Sequence, residues 1–305
     1  MSAPARKSRI VLPRRMALCT LALALTFAGC VNDPPSEGAA PLAETPGPRT
    51  EGSFEFAVIG DFGVGSEDES EVAAAVHEWV TDHSADALVT TGDNIYPSGE
   101  SEDFHEAWEE PYGWVGAEDL PVIASLGNHD IEADGGAAVM ELLGMPDRWY
   151  SEVIGDAEIF VLDANDPGSA EQMDWLEGAL GSSEAIWKVV VFHQPAYSCS
   201  RHDGTPAVQA DWVPLFENEG VDLVLNGHDH AYQRFAPEGG PMYVVTGGAG
   251  NVLYGLDECP DGYPVRVASD DDSHHFVAVS GTLGGINVKA ITSDDLVLDE
   301  FTLNK

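Results

Sequence analysis

The stretch FEFAVIGDFG, residues 54–63, decides the fold of this chain. It is a short apolar run that ends in a Gly-Asp turn, a pattern typical of a buried strand whose carboxyl end carries polar residues. Five later runs have the same form: ADALVTTG (85–92), PVIASLG (121–127), AEIFVLD (157–163), KVVVF (188–192) and VDLVLNG (221–227). Between some of these runs, apolar residues recur at helical spacing, at 72–80 and 173–180. The alternation predicts βαβ units and an α/β fold.

The C-terminal third has a different pattern. Its strand-like runs are separated by Gly or Asp turns and have no helical stretch between them: MYVVTGG (242–248), FVAVSGT (276–282), GINVKAI (285–291) and LVLDEFTL (296–303). These runs predict antiparallel strands at the edge of the first sheet or packed on it. No internal repeat and no long linker follows residue 53, so we expect a single catalytic domain over residues 54–305.

Composition excludes one class of partner. The 305 residues contain 53 Asp and Glu against 13 Lys and Arg, which gives a formal charge of −40. Such a chain does not bind a nucleic-acid backbone through a basic surface. Its 44% hydrophobic and 9% aromatic content supplies a packed core, unlike the acidic chains that stay disordered.

The N-terminal residues predict export. Residues 1–29 have a basic start followed by a short apolar run, which is the layout of a signal peptide. The segment Phe27–Cys30 is similar to a bacterial lipobox, so Cys30 is a candidate lipidation site; ordinary cleavage near Gly29 with an incidental Cys is the alternative. Residues 30–53 are rich in Pro and Gly and predict a tether. We therefore expect a protein of the cell envelope that contacts the membrane only through a lipid anchor.

Two cysteines remain in the exported domain, Cys199 and Cys259. They could form a disulfide in an oxidising compartment, but two cysteines do not make a disulfide-dependent scaffold. The sequence leaves their pairing open.

Polar residues cluster where the predicted strands end. Because the carboxyl ends of parallel strands in an α/β sheet meet at one crevice, side chains that are distant in sequence can gather there. The residues in question are Asp61, Asp93, Tyr96, Asn128, His193, His228 and His230. A single Gly-Asp or His-x-His motif is weak, but five such strand ends in succession indicate a metal site.

The chemistry of these side chains indicates which metals they bind. They are oxygen and imidazole donors without a thiolate, a set that suits Fe, Zn or Mn. Seven donors are too many for one tetrahedral ion. If Asp93 bridges two ions, each ion receives four protein ligands, and positions stay open for water and substrate.

These motifs resemble those of the calcineurin-like metallophosphoesterases, and the Gly-Asp-x-x-Tyr motif with Tyr96 resembles that of the purple acid phosphatases. The resemblance covers about residues 54–303 and implies a four-layer α/β/β/α sandwich of mixed sheets. It implies a ferric ion held by Asp61, Asp93, Tyr96 and His230. It implies a divalent ion, Zn, Fe or Mn, held by Asp93, Asn128, His193 and His228.

Two further histidines gain roles from the same resemblance. His202 lies nine residues after His193, as in the small, tartrate-resistant-type enzymes, and would help to protonate the leaving group. His129 matches a histidine that contacts the substrate phosphate. Asp130, Asp163 and Asp229 either orient the ligand imidazoles or serve as turn residues.

The function implied is an acid phosphatase that cleaves phosphate monoesters through attack by a metal-bound hydroxide. Phosphorylated small molecules or other phosphoesters would be the substrates. One alternative is a phosphodiesterase or nucleotidase that uses the same site. A less favoured one is a surface lipoprotein without catalytic activity.

Overall fold

The computed structural model describes residues 49–305. The predicted signal peptide, Cys30 and most of the predicted tether lie outside the described residues, so those assignments stay predictions. In chain order the strands are β1 (Phe54–Ile59), β2 (Ala87–Thr90), β3 (Val122–Ala124), β4 (Tyr150–Ile154), β5 (Ala157–Val161), β6 (Trp187–Val191), β7 (Leu223–Asn226), β8 (Tyr232–Ala236), β9 (Met242–Thr246), β10 (Val265–Asp270), β11 (His275–Thr282), β12 (Gly285–Thr292) and β13 (Val297–Asn304).

Within residues 49–305, five α-helices connect the strands. They are α1 (Glu67–His83), α2 (Glu110–Ala117), α3 (Ala137–Leu143), α4 (Ala170–Ser182) and α5 (Val213–Glu219), and short π-helical turns at His105–Glu109 and Val208–Trp212 lead into α2 and α5. In this described part of the chain the longest helix is α1, which is capped at its N-terminus by Ser66, whose hydroxyl accepts the Glu69 N–H at 3.0 Å. Its C-terminal capping residue, Ser84, has a left-handed conformation. Within residues 49–305, no helix combines the length and the apolar character needed to cross a bilayer.

The strands form two mixed sheets. The first has the order β13-β12-β11-β1-β2-β3, with β1, β2 and β3 parallel and the three C-terminal strands antiparallel. The second has the order β10-β8-β9-β7-β6-β5-β4, with a parallel centre from β5 to β9. The predicted α/β class with antiparallel C-terminal strands is confirmed.

One strand differs from its predicted pairing. β9 was expected within the antiparallel C-terminal set, but it pairs parallel with β7 in the second sheet. The cause is β8, a strand that the sequence pattern did not predict. After β7 the chain forms β8 one position farther from β7, and it then returns antiparallel as β9 between β8 and β7. The strands β4 and β10, at the two edges of this sheet, were also not predicted.

Burial divides the molecule into four layers. Alternate side chains of β5 point to opposite faces, as the pleat requires: Ile159 and Val161 join the core between the sheets, whereas Phe160 joins a second core with Leu176 of α4 and Phe216 of α5. On the other side, α1 packs on β1 and β11. Two rigid sheets packed in this way hold their carboxyl strand ends side by side.

Candidate metal centre

The two sheets bring the predicted ligand residues to one place. Asp61, Asp93 and Asn128 follow β1, β2 and β3 of the first sheet, and the three histidines follow β6 and β7 of the second. We refer to the seven side chains as the candidate metal centre: Asp61, Asp93, Tyr96, Asn128, His193, His228 and His230. Each lies within 3.5 Å of at least one other member.

One half of the candidate metal centre is built around Tyr96. Its hydroxyl lies 2.9 Å from Asp93 Oδ2 and 3.5 Å from Asp61 Oδ1. The same hydroxyl is 3.3 Å from His230 Nε2, and that nitrogen is 3.4 Å from Asp61 Oδ1. Four donors from three loops therefore point at one small volume.

The other half is built around His193. Its Nε2 lies 3.2 Å from Asp93 Oδ2, 3.2 Å from Asn128 Oδ1 and 3.3 Å from His228 Nδ1. Asp93 Oδ2 is thus shared between the Tyr96 half and the His193 half. Ligand atoms of Asp61, Asp93 and His193 all lie within 4.8 Å of one another, which is close enough for a common cation.

Backbone carbonyls orient two of the imidazoles. A carbonyl oxygen can only accept, so Nδ1 of His193 donates to Thr91 O at 2.9 Å and Nδ1 of His230 donates to Val252 O at 2.8 Å. With Nδ1 directed at a carbonyl, Nε2 is the ring nitrogen that can become a metal ligand once it is deprotonated, and in both residues Nε2 faces the candidate metal centre. This is the tautomer and orientation that a metal-ligating histidine requires.

Three of the seven residues have strained backbones. Asp61, Asp93 and His228 have φ angles of +56°, +51° and +72°, a left-handed region that L-residues rarely occupy. Hydrogen bonds hold the strained loops: Asp61 N–H donates to Gly92 O at 3.1 Å, and His228 N–H donates to Asp61 Oδ2 at 2.8 Å. Strain of this kind concentrates at functional sites.

Two glycines allow the loops to approach this closely. Gly127 has no side chain where a Cβ would lie 2.0 Å from Asp93 Oδ1. Gly92 combines a φ of +97° with a position where a Cβ would lie 2.7 Å from His193 Nδ1. The glycines that precede the predicted ligands are thus required by the crowding.

The electrostatics of the cluster favour cations. Burial alone would lower the pKa of the His193 imidazole, but the carboxylates of Asp93 and Asp61 raise it to about 10. Burial and the same two carboxylates raise the pKa of the Tyr96 phenol far above its usual value. Burial and the neighbouring His193 lower the pKa of His228 to about 2. Buried carboxylates and imidazole lone pairs, without a thiolate, fit a hard or borderline cation such as Fe, Zn or Mn.

Asp130 holds the loops after β2 and β3 together and does not orient a ligand imidazole. Its buried carboxylate accepts the N–H groups of Asn94, Ile95 and Gly127 at 2.8, 3.1 and 2.8 Å. It therefore ties the loop after β2 to the loop after β3. Asp163 contacts Arg148 and Asn165, and Asp229 contacts Ser198 and the His202 N–H. Each of the three carboxylates accepts a backbone N–H, and within the described residues none forms a hydrogen bond to a ligand imidazole, which favours the interpretation as turn residues.

His202 and His129 lie beside the seven donors. The His202 ring lies 4.3 Å from the His228 ring, and its backbone N–H donates to Asp229 Oδ1 at 3.0 Å. The His129 ring lies 4.6 Å from the Tyr96 ring, and its N–H donates to Asp93 Oδ1 at 2.9 Å. Both histidines are partly accessible, so each can meet a substrate bound at the centre.

A disulfide lies three residues from His202. Cys199 and Cys259 are bonded, and Cys199 is buried. The bond joins the loop of His202 to the long segment before β10. Sequence spacing alone did not decide this pairing, because nothing local places residues 199 and 259 together.

Sequence analysis missed Tyr254. Its ring stacks on the His230 ring at 3.9 Å with an interplanar angle of 15°, and its N–H donates to His230 O at 2.9 Å. No motif marks this tyrosine, because it lies in an irregular segment 24 positions after His230. It forms one wall of the crevice.

Glu69 is a buried carboxyl that supports the loop after β1. Its Oε2 accepts the N–H groups of Val64 and Gly65 at 3.0 and 2.7 Å. Burial raises its pKa from 4.5 to about 8, and the hydrogen bonds from Gly65 and Val64 oppose that shift. The native state therefore favours the protonated carboxyl.

We expect the wild-type protein to lose folding stability as the pH rises, because Glu69 ionises, and we expect Glu69→Gln to prevent that loss. The stability that depends on the protonated carboxyl is complete below the unfolded-state pKa of 4.5 and is lost as pH rises to about 8, at up to about 1.4 kcal/mol per pH unit. A Gln oxygen still accepts both N–H groups but does not titrate. Urea unfolding at pH 5 and pH 8 measures this: the variant should gain stability relative to the wild type at pH 8. Parallel pH profiles would contradict the assignment.

In sequence, this chain resembles known phosphoesterases. The sequence profile described as calcineurin-like phosphoesterase matches residues 54–232. Purple acid phosphatase 17 of Arabidopsis thaliana is 31% identical over 247 residues, which cover 70% of this chain and 72% of that protein. Purple acid phosphatase 4 of the same plant is 31% identical over 237 residues, with coverage of 67% and 70%.

A solved structure has a similar fold. The purple acid phosphatase PPD1 from yellow lupin seeds aligns with a TM-score of 0.73 at 18% identity, over 85% of this chain and 55% of that chain. GAP50, described as the anchor in the inner membrane complex of Plasmodium, aligns with a TM-score of 0.69 at 19% identity, over 83% and 89%. At these identities the likeness concerns the fold, and it matches the expected two-sheet sandwich.

Proposed function

This chain belongs to the calcineurin-like phosphoesterase family, and from that premise we propose that it is a binuclear-metal acid phosphatase of the purple acid phosphatase type. As a member of the family it is a phosphoesterase hydrolase. The observation that carries the finer proposal is the position of the Tyr96 hydroxyl, 2.9 Å from Asp93 Oδ2 and 3.3 Å from His230 Nε2. A phenol among carboxylates and imidazoles provides the ligand for a ferric ion.

We propose that the seven donors form two sets that share Asp93, whose Oδ2 lies close to both Tyr96 and His193. Asp61, Asp93, Tyr96 and His230 would hold Fe(III), and Asp93, Asn128, His193 and His228 would hold a divalent ion, Zn, Fe or Mn. When bound, two such ions neutralise phosphate charge and lower the pKa of water to about 7 or below. By holding these ions, the seven residues would create a locally positive crevice in a protein whose formal charge is −40.

The chain's own residues supply the proton and the positioning. We assign His202 as the group that donates a proton to the oxygen of the departing alcohol. Asp229 accepts the backbone N–H of His202 and so helps to position the His202 ring in the crevice. We assign His129 to a contact with a phosphate oxygen, because its partly exposed ring lies against Tyr96 at the mouth of the crevice.

Rates on matched aryl esters test the reaction class. The metal-loaded protein should hydrolyse phenyl phosphate much faster than diphenyl phosphate at mildly acidic pH. A faster rate on the diester would favour a phosphodiesterase, and no turnover of either ester would contradict the enzymatic proposal.

Tyr96→Phe is expected to abolish a purple colour in the oxidised, iron-loaded protein. A phenolate bound to Fe(III) gives a visible charge-transfer band, and Phe has no phenolate. Metal analysis and a visible spectrum of both proteins make the measurement. Tyr254→Phe is the matched control, because it removes a phenol from the same crevice and should keep the colour. A wild-type protein with full iron occupancy and no colour would contradict the Tyr96 assignment.

We also propose that the protein is exported and held at the bacterial cell envelope, periplasmic or extracellular, by a lipid on Cys30. The signal-like residues 1–29 support export, and a disulfide between Cys199 and Cys259 suits an oxidising compartment. Fractionation of the producing cells tests the placement. Recovery of the protein in the soluble cytoplasmic fraction would contradict it.

A further inference from the structure

Arg201 differs from the other cations of this acidic protein. The side chain of every other Lys and Arg within residues 49–305 has a hydrogen-bond acceptor or a carboxylate partner: Arg49 with Asp86, Arg148 with Asp163, Arg234 with Asp299, Lys289 with Glu300, Lys305 with Asp222, Lys188 with Leu180 O and Glu219 O, and Arg266 with Cys199 O. The Arg201 side chain is exposed. Within the described residues its guanidinium has no hydrogen-bond acceptor and no carboxylate partner, and it lies over an aromatic ring.

That ring places Arg201 at the mouth of the candidate metal centre. The guanidinium carbon lies 4.6 Å from the centroid of the Tyr254 ring. Tyr254 in turn stacks on His230 at 3.9 Å. Arg201, Tyr254 and His230 therefore form a stack that runs outward from the metal ligands. Arg201 is also adjacent in sequence to His202, the proposed proton donor.

The stack orients the guanidinium without occupying its donors. The guanidinium carbon lies over the aromatic ring in a cation–π interaction, and no acceptor within residues 49–305 takes a hydrogen bond from its N–H groups. That planar fork matches carboxylate and phosphate groups in a bidentate arrangement. In a chain of formal charge −40, an arginine with no carboxylate of residues 49–305 within 4.0 Å can offer its charge to a ligand.

We propose that Arg201 binds a second anionic group of the substrate, a carboxylate or a phosphate, beside the phosphoester that is cleaved. The proposal rests on the phosphatase function proposed above. It assigns the preferred substrates to phosphoesters that carry two anionic groups. Arg201 is then a specificity residue, and Tyr254 is the residue that positions it.

The test uses aryl phosphates that differ only in the second anion. The probes are phenyl phosphate, 4-carboxyphenyl phosphate and 1,4-phenylene bisphosphate. The metal-loaded wild type should prefer one or both doubly anionic esters over phenyl phosphate by about tenfold in kcat/KM, mainly through a lower KM. The preferred ester distinguishes a carboxylate site from a phosphate site. Arg201→Gln should reduce that preference to near unity.

Two further variants separate local recognition from net charge. Lys289→Gln removes one positive charge from β12 and should keep the wild-type preference. Arg201→Lys keeps the charge but loses the planar fork, so an intermediate preference is expected. A wild type without preference, or an Arg201→Gln protein with the full wild-type preference, would overturn the assignment.

Binding distinguishes failure of this inference from failure of the proposed function. Calorimetry compares phenylphosphonate with 4-phosphonobenzoate and benzene-1,4-bisphosphonate, which are not hydrolysed. The wild type should bind the better doubly anionic ligand about tenfold more tightly, and Arg201→Gln should lose that difference. Without turnover of phenyl phosphate, this difference alone decides the role of Arg201. Equal binding of all three ligands by the wild type would reject it.

Discussion

Asp93→Asn is expected to lower kcat/KM for phenyl phosphate by about 10³-fold, which corresponds to about 4 kcal/mol of transition-state stabilisation. Asp93 Oδ2 is the atom shared by the two halves of the candidate metal centre, 2.9 Å from the Tyr96 hydroxyl and 3.2 Å from His193 Nε2. Loss of its charge therefore weakens both proposed ion sites at once. Metal analysis should find a reduced metal content together with the lost activity.

Asn is chosen as the replacement because it tolerates the left-handed backbone conformation of residue 93. Asp93 has a φ of +51°, and Asn tolerates this region better than Ala does. An Asn oxygen can still accept the His129 N–H that Asp93 Oδ1 accepts at 2.9 Å. Asp93→Asn thus removes the charge and keeps the loop, whereas Asp93→Ala would disturb both.

Asp295→Asn is the matched control. Asp295 also has a left-handed backbone, with a φ of +64°, but it is exposed in the turn between β12 and β13. The control should keep its activity and its metal. If Asp93→Asn folds and retains wild-type activity, the shared-ligand assignment is wrong.

His202→Gln is expected to lower the rate in a way that depends on the leaving group. A general acid matters most when the departing oxygen is strongly basic, so hydrolysis of an alkyl ester such as glycerol 2-phosphate should fall about 10²- to 10³-fold. Hydrolysis of p-nitrophenyl phosphate should fall by less than about tenfold, because nitrophenolate leaves without a proton. The measurement is kcat on both esters for both proteins.

His129→Gln is the comparison within the same crevice. A residue that contacts the phosphate, and not the leaving group, should affect both esters by a similar factor. If His202→Gln also lowers both rates equally, His202 positions the substrate and is not the proton donor.

The local motifs predicted most residues of the candidate metal centre because each motif is contained in one strand end. The strand run at residues 54–59 and the turn at 60–63 are continuous in sequence, so hydrophobicity predicts the strand and the Gly-Asp pair predicts its polar end. The same holds for Asp93 after β2 and His193 after β6. Strand periodicity also predicted the α/β class, which is confirmed.

Local sequence patterns could not predict which distant segments pair with one another. The parallel pairing of β9 with β7 depends on β8, whose polar and aromatic sequence YQRFA does not have the apolar character of a buried strand. The disulfide between Cys199 and Cys259 depends on how the segment before β10 returns to the crevice. Tyr254 has no motif and gains its place from stacking on His230.

Local sequence was sufficient to predict which residues are candidate metal ligands and which strand ends carry them, because covalent neighbours fix those features. The contacts between distant segments became evident in the folded structure. Asp93 Oδ2 lies near both Tyr96 and His193, backbone carbonyls rather than Asp130 or Asp229 orient His193 and His230, and Arg201 has no carboxylate partner within residues 49–305. The reason is physical. Distances between side chains from different strands depend on sheet register, loop packing and burial, and those are properties of the whole fold.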